Sequence, residues 1–149
     1  MTVPMNPALT EFNPREMTTE IWLKIDNVLS SITEIILGTS PYKIRKKANV
    51  AQVQLTFDSS SSFSYCDSFN LKGGQWYHYA YAISEDLNML SCYVNGEKIL
   101  IGTTMMSIIT ADIIKFKEIT FGFSTEAKTS ESKFTGYVKE FRWWNSYRT

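Results

Sequence analysis

The sequence predicts an all-β fold in which two antiparallel sheets pack face to face as a sandwich of about ten or more strands. Segment after segment alternates apolar and polar residues, which is the period of a strand with one buried face. No stretch sustains the 3.6-residue period of an amphipathic helix. Aromatic residues make up 14% of the 149-residue chain, and these residues favour strands.

The predicted strands follow one another along the chain, separated by stretches rich in Gly, Ser, Asn or Pro. Three prolines in the first 15 residues predict an extended arm with one short edge strand. The predicted strands are 8–12, 17–25, 33–37, 41–47, 49–57, 63–69, 76–83, 90–95, 118–123 and 134–144. Gly38 is expected to end the third strand. Residues 98–102 are expected to lead into a loop, and residues 105–115 are expected to form a crossing segment with a short helical turn.

The clearest unit is a β-hairpin near the middle of the chain. Its first strand, 76–83, alternates strictly, and a polar turn at 84–88 leads to a second alternating strand at 90–95. Asn95-Gly96 then closes the unit with the dipeptide that best tolerates positive φ. The hairpin therefore predicts the fold, but it does not predict a ligand.

Three tyrosines project from one face of this hairpin. Alternation places Tyr77, Tyr79 and Tyr81 together, and a register centred on Asp86 adds Tyr93 beside Tyr79. A face of tyrosines is either a sugar-stacking or protein-docking surface, or one half of the sandwich core. The sequence leaves both interpretations open and favours the core.

Composition and charge exclude several classes of partner. The formal net charge is zero, and the one basic cluster, 43–47, predicts a solvated strand end rather than a nucleic-acid interface. No run of about 18 apolar residues is present, so direct membrane insertion is not expected. The N-terminus shows no signal peptide. One domain, 1–149, taken from a longer chain is the expected organisation.

The two cysteines, Cys66 and Cys92, are expected to be free thiols. If 62–69, 75–83 and 89–95 form a meander in one sheet, the cysteines lie on its outer strands, roughly 9.5 Å apart. A disulfide needs Cα atoms within about 7 Å. The prediction therefore depends on the three strands sharing a sheet.

Three groups of motifs in order resemble the laminin-G-like, pentraxin-like modules of the concanavalin-A-like lectin/glucanase superfamily. They are EIWLK at 20–24, QWYH at 75–78 followed by LSCYVNG at 90–96, and FG at 121–122 followed by FTGYVKEFRWWN at 134–145. The resemblance implies a jelly-roll sandwich of two curved sheets. It also implies a ligand that is a glycan, a protein or calcium, although some relatives are glycosidases. Fold alone does not choose among these.

The departures from that family concern acidic residues. Lys139 stands where the family often has Asp, so any role of that acid is lost. The family's glycosidases carry two carboxylates at alternate strand positions, whereas Glu16 and Glu20, like Glu126 and Glu131, are too far apart or lie in loops. We therefore expect no enzyme activity.

The remaining polar and aromatic residues have expected structural roles. His78, the only histidine, is expected to be packed and hydrogen-bonded, because a triad needs more than one such group. Glu140 and Arg142, two apart on a strand, are expected to pair with each other or with neighbouring strands. The tryptophans expected to serve the fold rather than a ligand are Trp22, Trp76 and Trp143.

Two polar loops, 124–133 and 84–88, are the expected recognition edge, since variable contacts of a sandwich usually come from loops at the sheet ends and from an exposed sheet face. They carry the oxygens that a calcium ion would need, and such a site would be weak, on the order of 0.1–1 mM. The candidate ligand-binding residues are Glu126, Ser130, Glu131, Tyr77, Tyr79 and Tyr81. The candidate calcium ligands are Glu85, Asp86, Glu126 and Glu131.

The sequence thus predicts a non-catalytic recognition or adhesion module for a glycan or protein ligand. The alternative is a structural or assembly subunit that uses the sandwich as a protein–protein scaffold. We expect an extracellular or cell-surface location within a larger protein, beside flanking domains. No cofactor is expected, with calcium left open.

Overall fold

A computed structural model describes most of the strands and several of the turns. The described residues are 2–4, 16–26, 33–39, 42–47, 50–56, 62–65, 70–84, 86, 89–102, 118–122 and 131–148. Within these ranges the chain forms twelve strands and no helix. The strands are β1 (Thr2–Pro4), β2 (Glu16–Ile25), β3 (Thr33–Thr39), β4 (Tyr42–Lys47), β5 (Val50–Thr56), β6 (Ser62–Tyr65), β7 (Trp76–Ser84), β8 (Met89–Val94), β9 (Glu97–Gly102), β10 (Glu118–Phe121), β11 (Glu131–Lys133) and β12 (Gly136–Trp144).

The strands form two sheets, which confirms the predicted sandwich. The five-stranded sheet has the order β12-β2-β7-β8-β9. The seven-stranded sheet has the order β1-β10-β3-β4-β5-β6, with β11 added to β3. Every pairing is antiparallel except that of β11 with β3, which is parallel. The last strand, β12, therefore lies beside β2, near the start of the chain.

The core lies between the sheets and is built from the inward side chains that the alternation predicts. Residues Met17, Ile21, Leu23 and Ile25 of β2 are fully buried. Fully burying a side chain of this size contributes about 1.5–3 kcal/mol. The other core side chains are Ile36, Leu37, Ile44, Leu71, Tyr77, Tyr79, Tyr81, Ile83, Leu90, Cys92, Val94 and Ile119.

The hairpin tyrosines belong to this core. Tyr77, Tyr79 and Tyr81 are 5%, 1% and 0% exposed, so the core interpretation describes them and the docking-surface interpretation does not. The predicted register was wrong by one residue, because Tyr93 pairs with Ala80 instead of Tyr79. The centre of the hairpin register lies half a residue after Asp86. Tyr93 consequently faces outward.

The ionisation of Tyr81 gives a pH test of this packing. Burial raises the pKa of Tyr81 above its ordinary value, and the neighbouring Thr19 side chain lowers this pKa in part. The folded pKa is thus above the unfolded value of about 10, so stability is complete below pH 10 and is lost as the pH rises further. We expect a slope of at most about 1.4 kcal/mol per pH unit from this one group.

Urea unfolding measured between pH 8 and pH 11 checks this expectation. Tyr81→Phe should flatten the alkaline part of the profile, whereas Tyr137→Phe, at a 54% exposed position, should leave it unchanged. Equal profiles for all three proteins would contradict the assignment.

Several predicted strand limits need correction. Gly38 does not end β3, which continues to Thr39. Residues 98–102, expected to lead into a loop, belong to β9, which pairs with β8 across the Asn95-Gly96 turn. The end of the predicted polar loop 124–133 is a strand, β11. The predicted edge strand 8–12 and the crossing segment 105–115 lie outside the described residues.

The basic cluster 43–47 is not simply a solvated strand end. Lys46 is 0% exposed, and its Nζ donates to Glu34 Oε1 of β3 at 3.0 Å. The other oxygen, Glu34 Oε2, accepts the backbone N–H of Thr135 at 2.8 Å. Thr135 directly precedes β12 of the other sheet, so this buried ion pair connects the two sheets.

The prediction of free thiols was wrong. Cys92 is fully buried and disulfide-bonded, and the only other cysteine in the chain is Cys66. The expected meander does not exist, because β6 (Ser62–Tyr65) lies in the seven-stranded sheet and β8 lies in the five-stranded sheet. The spacing of strands within one sheet therefore does not apply to this pair.

The tryptophans divide into two groups. Trp143 packs against the core, as expected. Trp76 is 37% exposed and faces outward, so it does not serve the fold as a core side chain. Trp22 is half-buried and also faces outward, where its ring lies 5.2 Å from the His78 ring.

Candidate functional site

The outward face of the five-stranded sheet carries the exposed large aromatic side chains of the described residues, Trp76, Tyr137 and Trp144, together with several charged side chains. Its composition follows from the alternation of β2, whose inward residues fill the core and whose outward residues include Thr18, Glu20, Trp22 and Lys24. The register then places a residue of β12 on one side of each and a residue of β7 on the other. One half of the face has small residues, and the other half has aromatic residues and lysines.

The small residues form the floor of an open groove of about 690 Å³. That volume is within the range of about 300–1,000 Å³ of small-molecule sites. The floor consists of Thr18, Ala80 and Gly96. The walls are formed by Glu20, His78, Tyr93, Arg142, Trp144 and Arg148. We call this feature the Glu20 groove.

Glu20 is the centre of the polar contacts in the groove. Its Oε1 accepts the indole N–H of Trp144 at 3.1 Å. Its Oε2 lies 3.7 Å from His78 Nε2 and 3.8 Å from Arg142 Nη1. The carboxylate therefore holds the Trp144 indole by a hydrogen bond and lies close to His78 and Arg142, and all three side chains keep exposed surface.

Arg142 also confirms the expected pairing with Glu140. Its Nη2 donates to Glu140 Oε2 at 3.4 Å, and both side chains are 51% exposed. A β-bulge interrupts the pairing with β2 between Lys139 and Arg142, and Glu140 there has a φ of 51°. Because a bulge redirects side chains, it is the local reason that Arg142 reaches Glu20.

The chain after β12 closes one end of the groove. The Thr18 hydroxyl donates to the Ser146 carbonyl and accepts the backbone N–H of Arg148, both at 2.8 Å. The Arg148 guanidinium then lies 4.1 Å from the centre of the Trp144 ring. Cation and indole attract each other at this distance, so the segment holds Trp144 in place at the wall.

The opposite end is held by the Asn95-Gly96 turn. Both residues have positive φ, 53° and 80°, as the dipeptide predicts. Asn95 donates its N–H to the His78 carbonyl at 2.7 Å, and its Oδ1 accepts the His78 N–H at 2.9 Å. The turn thereby fixes the backbone beneath the imidazole, which is half-buried and paired as expected.

The predicted recognition loops are not brought to this groove. Glu85, Glu126 and Ser130 lie outside the described residues. Asp86 is exposed at the β7–β8 turn, where its N–H donates to Glu16 Oε1 at 3.4 Å. Glu131 lies in β11, paired with Thr33 of the other sheet. Within the described part of the chain, no three Asp, Glu, His or Cys side chains are placed to hold one metal ion.

Sequence reasoning therefore missed the groove. It treated Glu20 only as a failed catalytic partner and as part of the EIWLK motif, and it gave His78 a purely structural role. The available signal was the outward row of β2, in which threonine, glutamate, tryptophan and lysine alternate with buried residues. That row predicts a groove only when β12 and β7 are known to flank β2.

The chain matches known proteins by family model and by fold. A model of the concanavalin A-like lectin/glucanases superfamily matches residues 2–149. No curated protein matches the sequence significantly. Among the described residues no helix is long and apolar enough to cross a membrane.

Solved structures with a similar fold include binding domains of botulinum neurotoxins. The binding domain of neurotoxin DC in complex with rat synaptotagmin II shares 15% identity and a TM-score of 0.76, over 99% of this chain and 37% of that one. A structure of neurotoxin type C, whose cell entry depends on two ganglioside molecules, shares 14% identity and a TM-score of 0.75, over 99% of this chain and 36% of that one. The binding domain of neurotoxin DC in complex with SialylT shares 15% identity and a TM-score of 0.74, over 99% of this chain and 36% of that one. This chain thus spans little more than a third of their length.

Proposed function

Because the chain belongs to the concanavalin A-like lectin/glucanase superfamily, we propose that it is a non-catalytic recognition module that binds a saccharide in the Glu20 groove. The observation that carries this proposal is the exposed Trp144 indole beside a carboxylate, an imidazole and two guanidinium groups over a floor of small residues. A sugar ring has an apolar face that packs on an indole and hydroxyls that bond to charged groups. The groove offers both kinds of contact.

The energetics of the groove favour a polar ligand. Hydrogen bonds to charged groups are worth about 1.5–3 kcal/mol each, and Glu20 and Arg142 together provide acceptors and donors in one small area. Because Trp144 is already held by Glu20 and by Arg148, a ligand would lose little entropy in ordering its indole.

The carboxylates of the groove support recognition rather than hydrolysis. Glycosidases use two carboxylic acids on either side of the scissile bond. Among the described residues that line the groove, Glu20 is the single carboxylate. Nearby Glu140 is engaged by Arg142.

We infer an oxidising environment from the disulfide of Cys92, because such bonds persist in secreted and extracellular proteins. This supports an extracellular or cell-surface location within a larger protein. The neurotoxin neighbours carry the same fold within longer binding domains, and they include complexes with both a saccharide and a protein. The geometry of the groove is the reason to test saccharides first.

A glycan array tests the proposal with three single variants. Trp144→Ala and Glu20→Gln should each weaken the best saccharide by about tenfold or more, since central residues of a site dominate its affinity. The matched control is Glu97→Gln, which makes the same chemical change at the exposed first residue of β9 and should stay within about twofold of wild type.

The array is run with calcium and with a chelator, because Asp86 and Glu131 stay candidate calcium ligands. A wild-type protein that binds no saccharide in either condition would overturn the proposal. Binding that Trp144→Ala and Glu20→Gln leave unchanged would place the site elsewhere.

A further inference from the structure

Next to the Glu20 groove, two lysines alternate with three aromatic rings across β2, β7 and β12. Lys139 Nζ lies 4.5 Å from the centre of the Trp76 ring and 5.5 Å from that of Trp22. Lys24 Nζ lies 4.4 Å from the Tyr137 ring and 5.9 Å from the Trp76 ring. We call these five residues the lysine ladder.

We propose that the lysine ladder binds carboxylate or sulfate groups, and that the saccharide ligand of this module is therefore an acidic glycan chain that extends from the Glu20 groove across the ladder. This inference rests on the proposed function and names the class of saccharide. It follows from three properties of the ladder: its unneutralised charge, its ordering and its continuity with the groove.

The first property is charge. Within the described part of the chain, neither Lys24 nor Lys139 lies within salt-bridge distance of a carboxylate. Glu20 of the groove and Glu140 of the bulge lie 3.8 Å and 3.4 Å from Arg142 instead. An aromatic ring attracts an ammonium group without neutralising it, so each lysine keeps its full charge and free N–H donors for a ligand.

The second property is order. A free lysine loses much of its rotamer entropy when it is fixed. Here each ammonium already lies near two rings, so part of that loss has occurred before a ligand arrives. Lys24 pairs with Tyr137, and Lys139 is two residues further along β12, so the two lysines occupy diagonal positions about 7–8 Å apart.

The third property is continuity. The Trp22 ring, which lies beneath Lys139, is 5.2 Å from the His78 ring, and His78 is a wall of the groove. Trp76 and Tyr137 are 37% and 54% exposed, so they present apolar surface to the faces of sugar rings. A chain of sugars could therefore contact the groove and the ladder together.

The test uses dextran, carboxymethyl-dextran and dextran sulfate of equal chain length. Binding is measured by calorimetry at low and at physiological salt. The wild-type protein should bind one or both acidic polymers at least about tenfold more tightly than dextran, and this preference should shrink as salt screens the charges.

The key variant is the double substitution Lys24→Gln/Lys139→Gln. It should lose about tenfold in affinity for the acidic polymer and should keep the neutral-saccharide binding measured on the array. Lys24→Arg/Lys139→Arg should restore most of the loss, because arginine keeps the charge and stacks on aromatic rings. The matched control is Lys72→Gln/Lys133→Gln, which removes the same charge from two exposed positions outside the ladder.

Three outcomes would overturn the inference. The first is equal affinity for dextran and for its acidic forms. The second is an equal loss of affinity for the acidic polymer in the ladder variant and in the control, and the third is binding of a DNA oligonucleotide at the ladder as tight as that of the acidic polymer. Failure of the proposed function is distinguishable from failure of this inference. In that case no neutral saccharide would bind to the wild-type protein, or Trp144→Ala would leave the affinity for neutral saccharides unchanged.

Discussion

Replacement of Lys46 by methionine is expected to lower the free energy of unfolding by about 3–5 kcal/mol. The substitution leaves the Glu34 carboxylate, 4% exposed, without its only cationic partner among the described contacts. Thr135 would still donate one hydrogen bond to this carboxylate, but one bond does not replace an ammonium group in a dry interior. Urea unfolding at pH 7 measures the loss.

A second variant separates the charge effect from the packing effect. Glu34→Gln/Lys46→Met removes both charges and keeps an oxygen for the Thr135 N–H, so it should be considerably more stable than Lys46→Met alone. Lys47→Met, at the exposed neighbouring position, should change stability by less than about 0.5 kcal/mol. If the single and double variants were equally unstable, the ion pair would not be the cause.

Reduction of the disulfide is the other change with a large expected effect. The bond of Cys92 with the only other cysteine closes a loop that is longer than 15 and shorter than 100 residues. Reduction opens this loop and should lower the free energy of unfolding by about 3–4.7 kcal/mol. For a chain of this size the melting temperature should fall by roughly 10 °C. Calorimetry with and without a phosphine reductant measures this shift.

The control for that experiment is the variant Cys66→Ala/Cys92→Ala. It should melt near the temperature of the reduced wild type, and the reductant should not move it further. An unchanged wild-type melting temperature after complete reduction, confirmed by thiol titration, would contradict a stabilising role for the bond.

Much of the fold was predictable because the alternation of single strands is a local property. The inward face of β2 and the Asn95-Gly96 turn followed from neighbouring residues alone. The partition of strands between sheets did not, since it depends on contacts between distant segments. That is why the disulfide was missed and why Lys46, which has no local signal of its partner Glu34, was assigned to the surface.

The candidate site was less predictable than the fold for the same reason. The tyrosines of the hairpin stand close together in the sequence, but the alternation of the strand directs their side chains into the core. Glu20, His78 and Trp144 are scattered in the sequence, and only the strand order β12-β2-β7 makes them neighbours. A register error of one residue, such as the one at the hairpin, is enough to exchange the two faces.

The pairing of β2 with β12 also has a consequence for the synthesis of the protein. The hydrogen bond from Trp144 to Glu20 joins residues 124 positions apart. A ribosome adds about 5–20 residues per second, so β2 waits for several seconds as an open edge before its last partner is made. Open edges of this kind recruit strands of other chains, and sandwiches rich in distant pairings fold in milliseconds to seconds. The face that carries the Glu20 groove is thus completed only when β12 has been synthesised, and until then the nascent chain is open to wrong pairing along the strand that carries Glu20.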